Sequence, residues 1–141
     1  MLSNITIGAL LILLTTAVHA GGMALSLRSI RNHAAIAGWR LHLNRVFRVG
    51  RVVLMMYLIA IMEVLIWGVA YLAFDVIDGF EKAIYFSAVT FTTLGYGDVV
   101  LDGSRRLLSS LEAINGIIMF GWSTAIVIAA VQYVYFRQET D

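Results

Sequence analysis

Three long runs almost free of charge constrain this chain more than anything else in it. Residues 5–27 carry no charge over 23 positions, 52–74 carry only Glu63 over another 23, and 113–136 carry none over 24, with an apolar run-in from Leu107. At 1.5 Å per residue each makes about 35 Å of helix, enough to cross a hydrocarbon core of about 30 Å. A fourth uncharged stretch, 83–97, has 15 residues and is too short to cross as a helix. Irregular backbone at membrane depth survives only where it is covered by protein or lines water, so this stretch has to re-enter or lie buried. Composition agrees: 60% of the 141 residues are hydrophobic and 13% charged, whereas soluble domains have about 45–50% and about 25%. A fold this small cannot hide so much apolar surface in its own core. The expected fold is an all-α membrane protein with three transmembrane helices and a re-entrant helix followed by a loop.

The charges give the expected topology. Six arginines between Arg28 and Arg51 share their segment with no acid, while Asp75, Asp78, Glu81, Asp98 and Asp102 cluster near the short stretch. Positive charge stays on the cytoplasmic side, which predicts an outer N-terminus, a cytoplasmic C-terminus and a re-entrant stretch dipping in from outside. The small residues at Val18-His19-Ala20 suit signal cleavage, but no Lys or Arg precedes the apolar run and it continues to Leu27, so residues 1–20 are expected to stay as a span. The basic linker, with Ala34, Ile36, Trp39, Leu41, Leu43, Val46 and Phe47 among its charges, reads as a helix lying in the inner interface against anionic headgroups. Arg45, Arg48 and Arg51 recur every third residue as in a voltage-sensing helix, but a sensor needs a helical bundle to shield its charges, and one helix precedes them.

The short stretch explains its own re-entry. Asp78 followed by Glu81 fits a capping box, so a helix is expected to begin near Gly79, run about three turns and stop at the threonines before Gly95 and Gly97. Glycine reaches positive φ without a Cβ penalty. Alternating it with other residues can turn successive carbonyls to one side, a hard-oxygen surface suited to an alkali cation, with no His or Cys nearby for a transition metal.

Thr92-Thr93-Leu94-Gly95-Tyr96-Gly97-Asp98 resembles the potassium-channel signature TTVGYGD, with Leu94 in place of valine. The resemblance covers about residues 52–136. It divides the chain into 1–51, an N-terminal helix and basic linker, and 52–141, a pore module of outer helix, pore helix, filter and inner helix. It implies that K+ sheds its water onto the carbonyls of Thr93, Leu94, Gly95 and Tyr96, with the Thr93 hydroxyl and Gly97 completing the filter. Thr92, Asp98, Tyr85, Phe86 and Glu112 would support it, Tyr96 bracing against Tyr85 and Phe86 and Glu112 hydrogen-bonding behind the filter. Tyrosine at 96 favours potassium, because related filters with an acid there resemble nonselective cation channels. One chain supplies one filter segment, so the resemblance implies a homotetramer in the cell membrane, with lipids and not nucleic acid as partners, no cofactor beyond the permeant K+, and a regulatory partner left open.

Gly116 stands where relatives carry a hinge, with close helix packing the other reading; Gly121 follows it, and Phe120 and Thr124 are candidates to line the cavity. Glu63 and His19 fall at similar depth in their spans and are expected to form a pH-responsive pair. The other reading of Glu63 has it neutral, or bonded to pore-helix hydroxyls such as Ser87 or Thr90. A nonselective cation channel and an ion-uptake transporter subunit are the competing functions. No enzyme is expected, since Gly121-Trp122-Ser123-Thr124 lacks the second glycine of a nucleophile elbow.

Overall fold

A computed structural model describes residues 2–31 and 39–136, and the side chains of all of these except 29–31, 39–42 and 104. The order is α1 (Leu2–Arg31), α2 (Trp39–Ala73), α3 (Phe80–Phe91), a single 3-10 turn at Gly103–Arg105, and α4 (Arg106–Tyr135). α1, α2 and α4 are long and apolar enough to cross a membrane, and α3 is not. His19 meets Glu63 and Gly22 faces Ile59, so α1 and α2 run antiparallel. Gly8 against Leu111, Thr15 against Asn115 and His19 against Ser123 make α1 and α4 parallel. Three passes of alternating direction result. Leu10, Leu13, Leu54, Leu58, Met62, Ile117 and Ile128 face outward, the pattern of helices whose outer solvent is apolar.

Two apolar clusters hold the bundle. At the end of the bundle where α3 lies, Trp67 and Tyr71 of α2, Ala83, Phe86 and Phe91 of α3, and Leu108 and Met119 of α4 bury one another. Toward the other end, Val52, Met56 and Ile59 of α2 pack on Ile126, Ala130 and Val134 of α4, with Val18, Met23 and Leu27 of α1 against them. α3 is thereby wedged between α2 and α4, which sets where the chain emerges after it.

The linker differs from its expected form. Residues 28–31 continue α1 and 39–51 are the first turns of α2, while 32–38 lie outside the described residues. Leucine, valine and arginine are adequate helix formers and no proline interrupts them, so α2 keeps its ladder for about 52 Å, well past the apolar core. Arg45 lies over the Tyr135 ring, 5.6 Å from its centroid, and so pins this extension to the end of α4. The third span, α4, also starts earlier than the uncharged run, at Arg106, which donates to the Leu101 carbonyl at 3.2 Å.

The capping box does not form. Gly79 caps α3 with φ 90° and no side chain bonds the helix end. With the cap at Gly79, Glu81 is the second helical residue, one short of the position from which it could reach back. It still complements the positive end of the helix dipole.

Candidate functional site

α2 and α3 end in the same way. At the end of α2, Val76 N–H donates to Tyr71 O at 2.8 Å and Asp75 N–H to Leu72 O at 3.1 Å, with Asp75 at φ 49°. At the end of α3, Leu94 N–H donates to Val89 O at 3.0 Å and Thr93 N–H to Thr90 O at 2.9 Å, with Thr93 at φ 60°. Both are Schellman closures with a residue other than glycine in the left-handed position. Asp tolerates that conformation; a β-branched threonine does not, and holding it there costs about 1–3 kcal/mol. Strain of this kind persists where the surroundings enforce it, and it gathers at functional sites.

The residues after Thr93 set the second closure apart. Gly95 has φ 59° and Gly97 φ 79°, while Leu94 and Tyr96 between them stay out of the positive region. Five residues thus alternate in handedness, beginning two residues earlier than the glycines alone require. The negative end of the α3 dipole is directed at this segment. Residues 92–98 are all exposed, Tyr96 by 67%, so a single chain leaves this segment uncovered on one side. Tyr85 donates its hydroxyl to Asp98 Oδ2 at 2.7 Å across the segment, and that bond raises the Tyr85 phenol above the ordinary tyrosine value.

Within one chain the aromatic support differs from the expected one. The Phe86 ring meets Tyr71 edge-on at 5.2 Å, Tyr85 is occupied with Asp98, and Tyr96 stacks on neither. The reason is directional: α3 turns Phe86 back into the α2 interface, while the chain leaves α3 on its exposed side.

Behind α3 lies a closed polar knot. Glu112 of α4 is fully buried; it accepts the Tyr71 hydroxyl at 2.6 Å on Oε2, and its Oε1 lies 2.5 Å from Ser87 Oγ. Ser87 Oγ is also 2.8 Å from the Val64 carbonyl. A serine hydroxyl has one proton, which Ser87 shares between the Glu112 carboxyl and the Val64 carbonyl. One side chain therefore fastens α2, α3 and α4 together. One turn further along α4, a Cβ on Gly116 would run into the Phe91 carbonyl, so this glycine is where α4 touches the end of α3. That contact gives Gly116 a packing role. A Cβ on Gly121 would meet nothing within 4 Å among the described residues. Phe120 sets its ring against Phe91 at 5.8 Å and is partly exposed, and Thr124, also exposed, donates to the Phe120 carbonyl at 2.9 Å.

Over residues 59–133, just over half of the chain, the sequence matches the ion-channel family. The chain belongs to that family. No curated protein and no solved structure matches it significantly. The matched span runs from within α2 through α3 and the alternating segment to near the end of α4, and leaves α1 outside it. With three apolar helices, this ion-channel chain is a multi-pass membrane protein.

The channel chain buries a second acid where α1 joins the bundle. Glu63 Oε1 is 3.1 Å from His19 Nδ1, and both side chains are fully buried. Neither Ser87 nor Thr90 bonds Glu63, because α3 packs one to two turns further toward the C-terminal end of α2 and Ser87 is taken by Glu112. His19 Nε2 lies 3.4 Å from Ser123 Oγ and its ring 5.1 Å from the Trp122 ring. Asn115 donates to Thr15 Oγ1 at 2.9 Å, one turn away on α1. Tyr71, Thr15, Asn115 and Ser123 are partners that sequence reasoning missed. Their signal was spacing: Glu63, Trp67 and Tyr71 recur every four residues on α2, Glu112 and Asn115 are three apart, and Thr15 and His19 four apart.

Proposed function

We propose that four copies of this chain assemble around an axis into a potassium-selective channel, through which K+ crosses the cell membrane passively. The observation that carries this reading is the alternating backbone at Thr93, Gly95 and Gly97, strained at Thr93, within the sequence TTLGYGD. Carbonyls of Thr93, Leu94, Gly95 and Tyr96, together with the Thr93 hydroxyl, replace the hydration shell of the ion. The exposed flank of 92–98 supports assembly, since one chain supplies one wall and a ring needs the rest. Tyr85–Asp98 braces the outer end of the filter, and the Glu112 knot with the Gly116 contact fixes α3 from behind. Phe120 and Thr124 line the cavity below. Asp75, Asp78, Asp98 and Asp102, repeated by symmetry, draw cations to the mouth. The arginines between Arg28 and Arg51 support an outer N-terminus and a cytoplasmic C-terminus.

The test is K+ efflux from liposomes containing the purified protein, with Gly95→Ala as the control. Expected is efflux above empty vesicles that the substitution abolishes, because an added Cβ at φ 59° distorts the filter. Efflux absent, or unchanged by Gly95→Ala, overturns the proposal. Equal permeation of Na+ and K+ in bi-ionic reversal potentials would replace it with a nonselective cation channel.

A further inference from the structure

The seam between α1, α2 and α4 contains more polar atoms than it pairs. His19 bridges Glu63 on α2 and Ser123 on α4, and Asn115 on α4 bridges to Thr15 on α1. Three further buried atoms, Glu63 Oε2, Trp67 Nε1 and Asn115 Oδ1, have no partner among the described residues. Glu63 and Trp67 are one turn apart on α2, and Thr15 and His19 one turn apart on α1, so these atoms fall along the same two turns of the seam. Buried polar atoms left over by the protein are the usual partners of internal water.

We infer that this seam is a proton-binding site, centred on His19 and Glu63, through which α1 controls the pore-lining helix α4. The inference rests on the channel reading for its effect on flux, but not for the proton site itself. In the tautomer where Nδ1–H donates to an ionised Glu63 and Nε2 accepts from the Ser123 hydroxyl, the seam would carry one net negative charge. A proton added at Nε2 gives an imidazolium beside a carboxylate, neutral overall, and Ser123 changes from donor to acceptor. A net charge among apolar helices is costly, so proton uptake tightens the three-helix junction and proton loss loosens it.

Among the described residues no other titratable group intrudes. From α2, Tyr57 is exposed and Tyr71 is committed to Glu112. From α4, Trp122 and Ser123 face His19, and Glu112 lies about three turns outward, tied to Tyr71 and Ser87. The charged residues of α3, Glu81 and Lys82, sit at its outer end. The nearest charged residue of α1 is Arg28, nine positions beyond His19. Ser123 directly precedes Thr124 and lies two residues beyond Gly121, where an added Cβ would meet nothing within 4 Å among the described residues. A change at Ser123 is therefore delivered to α4 at the level of the proposed cavity.

Two readouts on the full chain in lipid vesicles test this. Between about pH 5 and about pH 8, where histidine changes charge, K+ flux of the unmodified protein should change several-fold. Glu63→Gln should flatten that profile. Ser123→Ala should reduce the change while leaving the titration in place. In parallel, 15N NMR of histidine-labelled protein, with His19→Asn to assign the resonance, should show His19 titrating in a way that Glu63→Gln shifts. Where flux is present, identical profiles for the unmodified protein and Glu63→Gln overturn the inference, and so does a His19 resonance that Glu63→Gln leaves unmoved. Loss of flux at every pH with a Glu63-dependent titration intact would instead overturn the channel reading and leave the proton site standing.

Discussion

Glu112 and Glu63 are both acids buried inside apolar helices, but they are built differently. Glu112 has a partner on each oxygen, Tyr71 from α2 and Ser87 from α3, and neither partner changes charge near neutral pH. Glu63 has a partner on one oxygen, a histidine, and its other oxygen is unmatched. A fully paired network gives rigidity, while a partly paired one keeps more than one arrangement within reach. The first stands behind the segment where position matters most. The second joins α1, the helix outside the family match, to the rest.

Breaking the knot should therefore have the largest effect. Glu112→Leu strands the Tyr71 hydroxyl and leaves Ser87 with only the Val64 carbonyl, and should cost about 2–4 kcal/mol, about 1–3 kcal/mol for the buried group left unmade and about 1 kcal/mol for the lost Ser87 bond. It should appear as a large drop in thermal stability in detergent. Tyr71→Phe removes one donor and leaves Glu112 Oε2 unmatched, so about 1–3 kcal/mol is expected from the same measurement. Glu63→Leu should cost less than Glu112→Leu, about 1–2 kcal/mol, because it strands one buried group, His19 Nδ1, and removes an oxygen that had no partner among the described residues. A larger cost for Glu63→Leu than for Glu112→Leu would reverse the comparison. Glu112→Gln should be close to neutral, since an amide can accept from Tyr71 and donate to Ser87. A strong loss would show instead that the knot depends on a charged carboxylate.

The smallest effect belongs to the exposed Tyr85–Asp98 bond. Tyr85→Phe should leave thermal stability unchanged within error. Because Asp98 raises the Tyr85 phenol, the protonated hydroxyl and its bond are present at neutral pH and are lost only as pH climbs through that raised value. Ultraviolet titration of the phenolate should show a late-titrating tyrosine that is absent from Tyr85→Phe.

The elements were legible where one strong physical signal acted alone. Uncharged length marked α1, α2 and α4, and the glycines marked where α3 has to end. The capping box failed because Gly79 took the cap and moved Glu81 off register, a choice set by how the chain arrives from Ile77, which is buried against α2. The partners of the buried acids were less legible. An acid within a span announces a need for partners but does not name them. Ser87 was within reach of either acid in the sequence, and the packing depth of α3 decided for Glu112.

Three spans, a helix too short to cross, and a segment whose glycines permit alternating handedness were all written into the chain itself, because length, charge and Cβ sterics are local properties. Packing added the rest: Thr93 shares that alternation, Gly116 is a contact with the Phe91 carbonyl, and one acid is locked while the other is left with an open oxygen. Those outcomes depend on how far α3 sinks between α2 and α4 and on where α1 lies, and both are set by contacts between residues far apart in the chain.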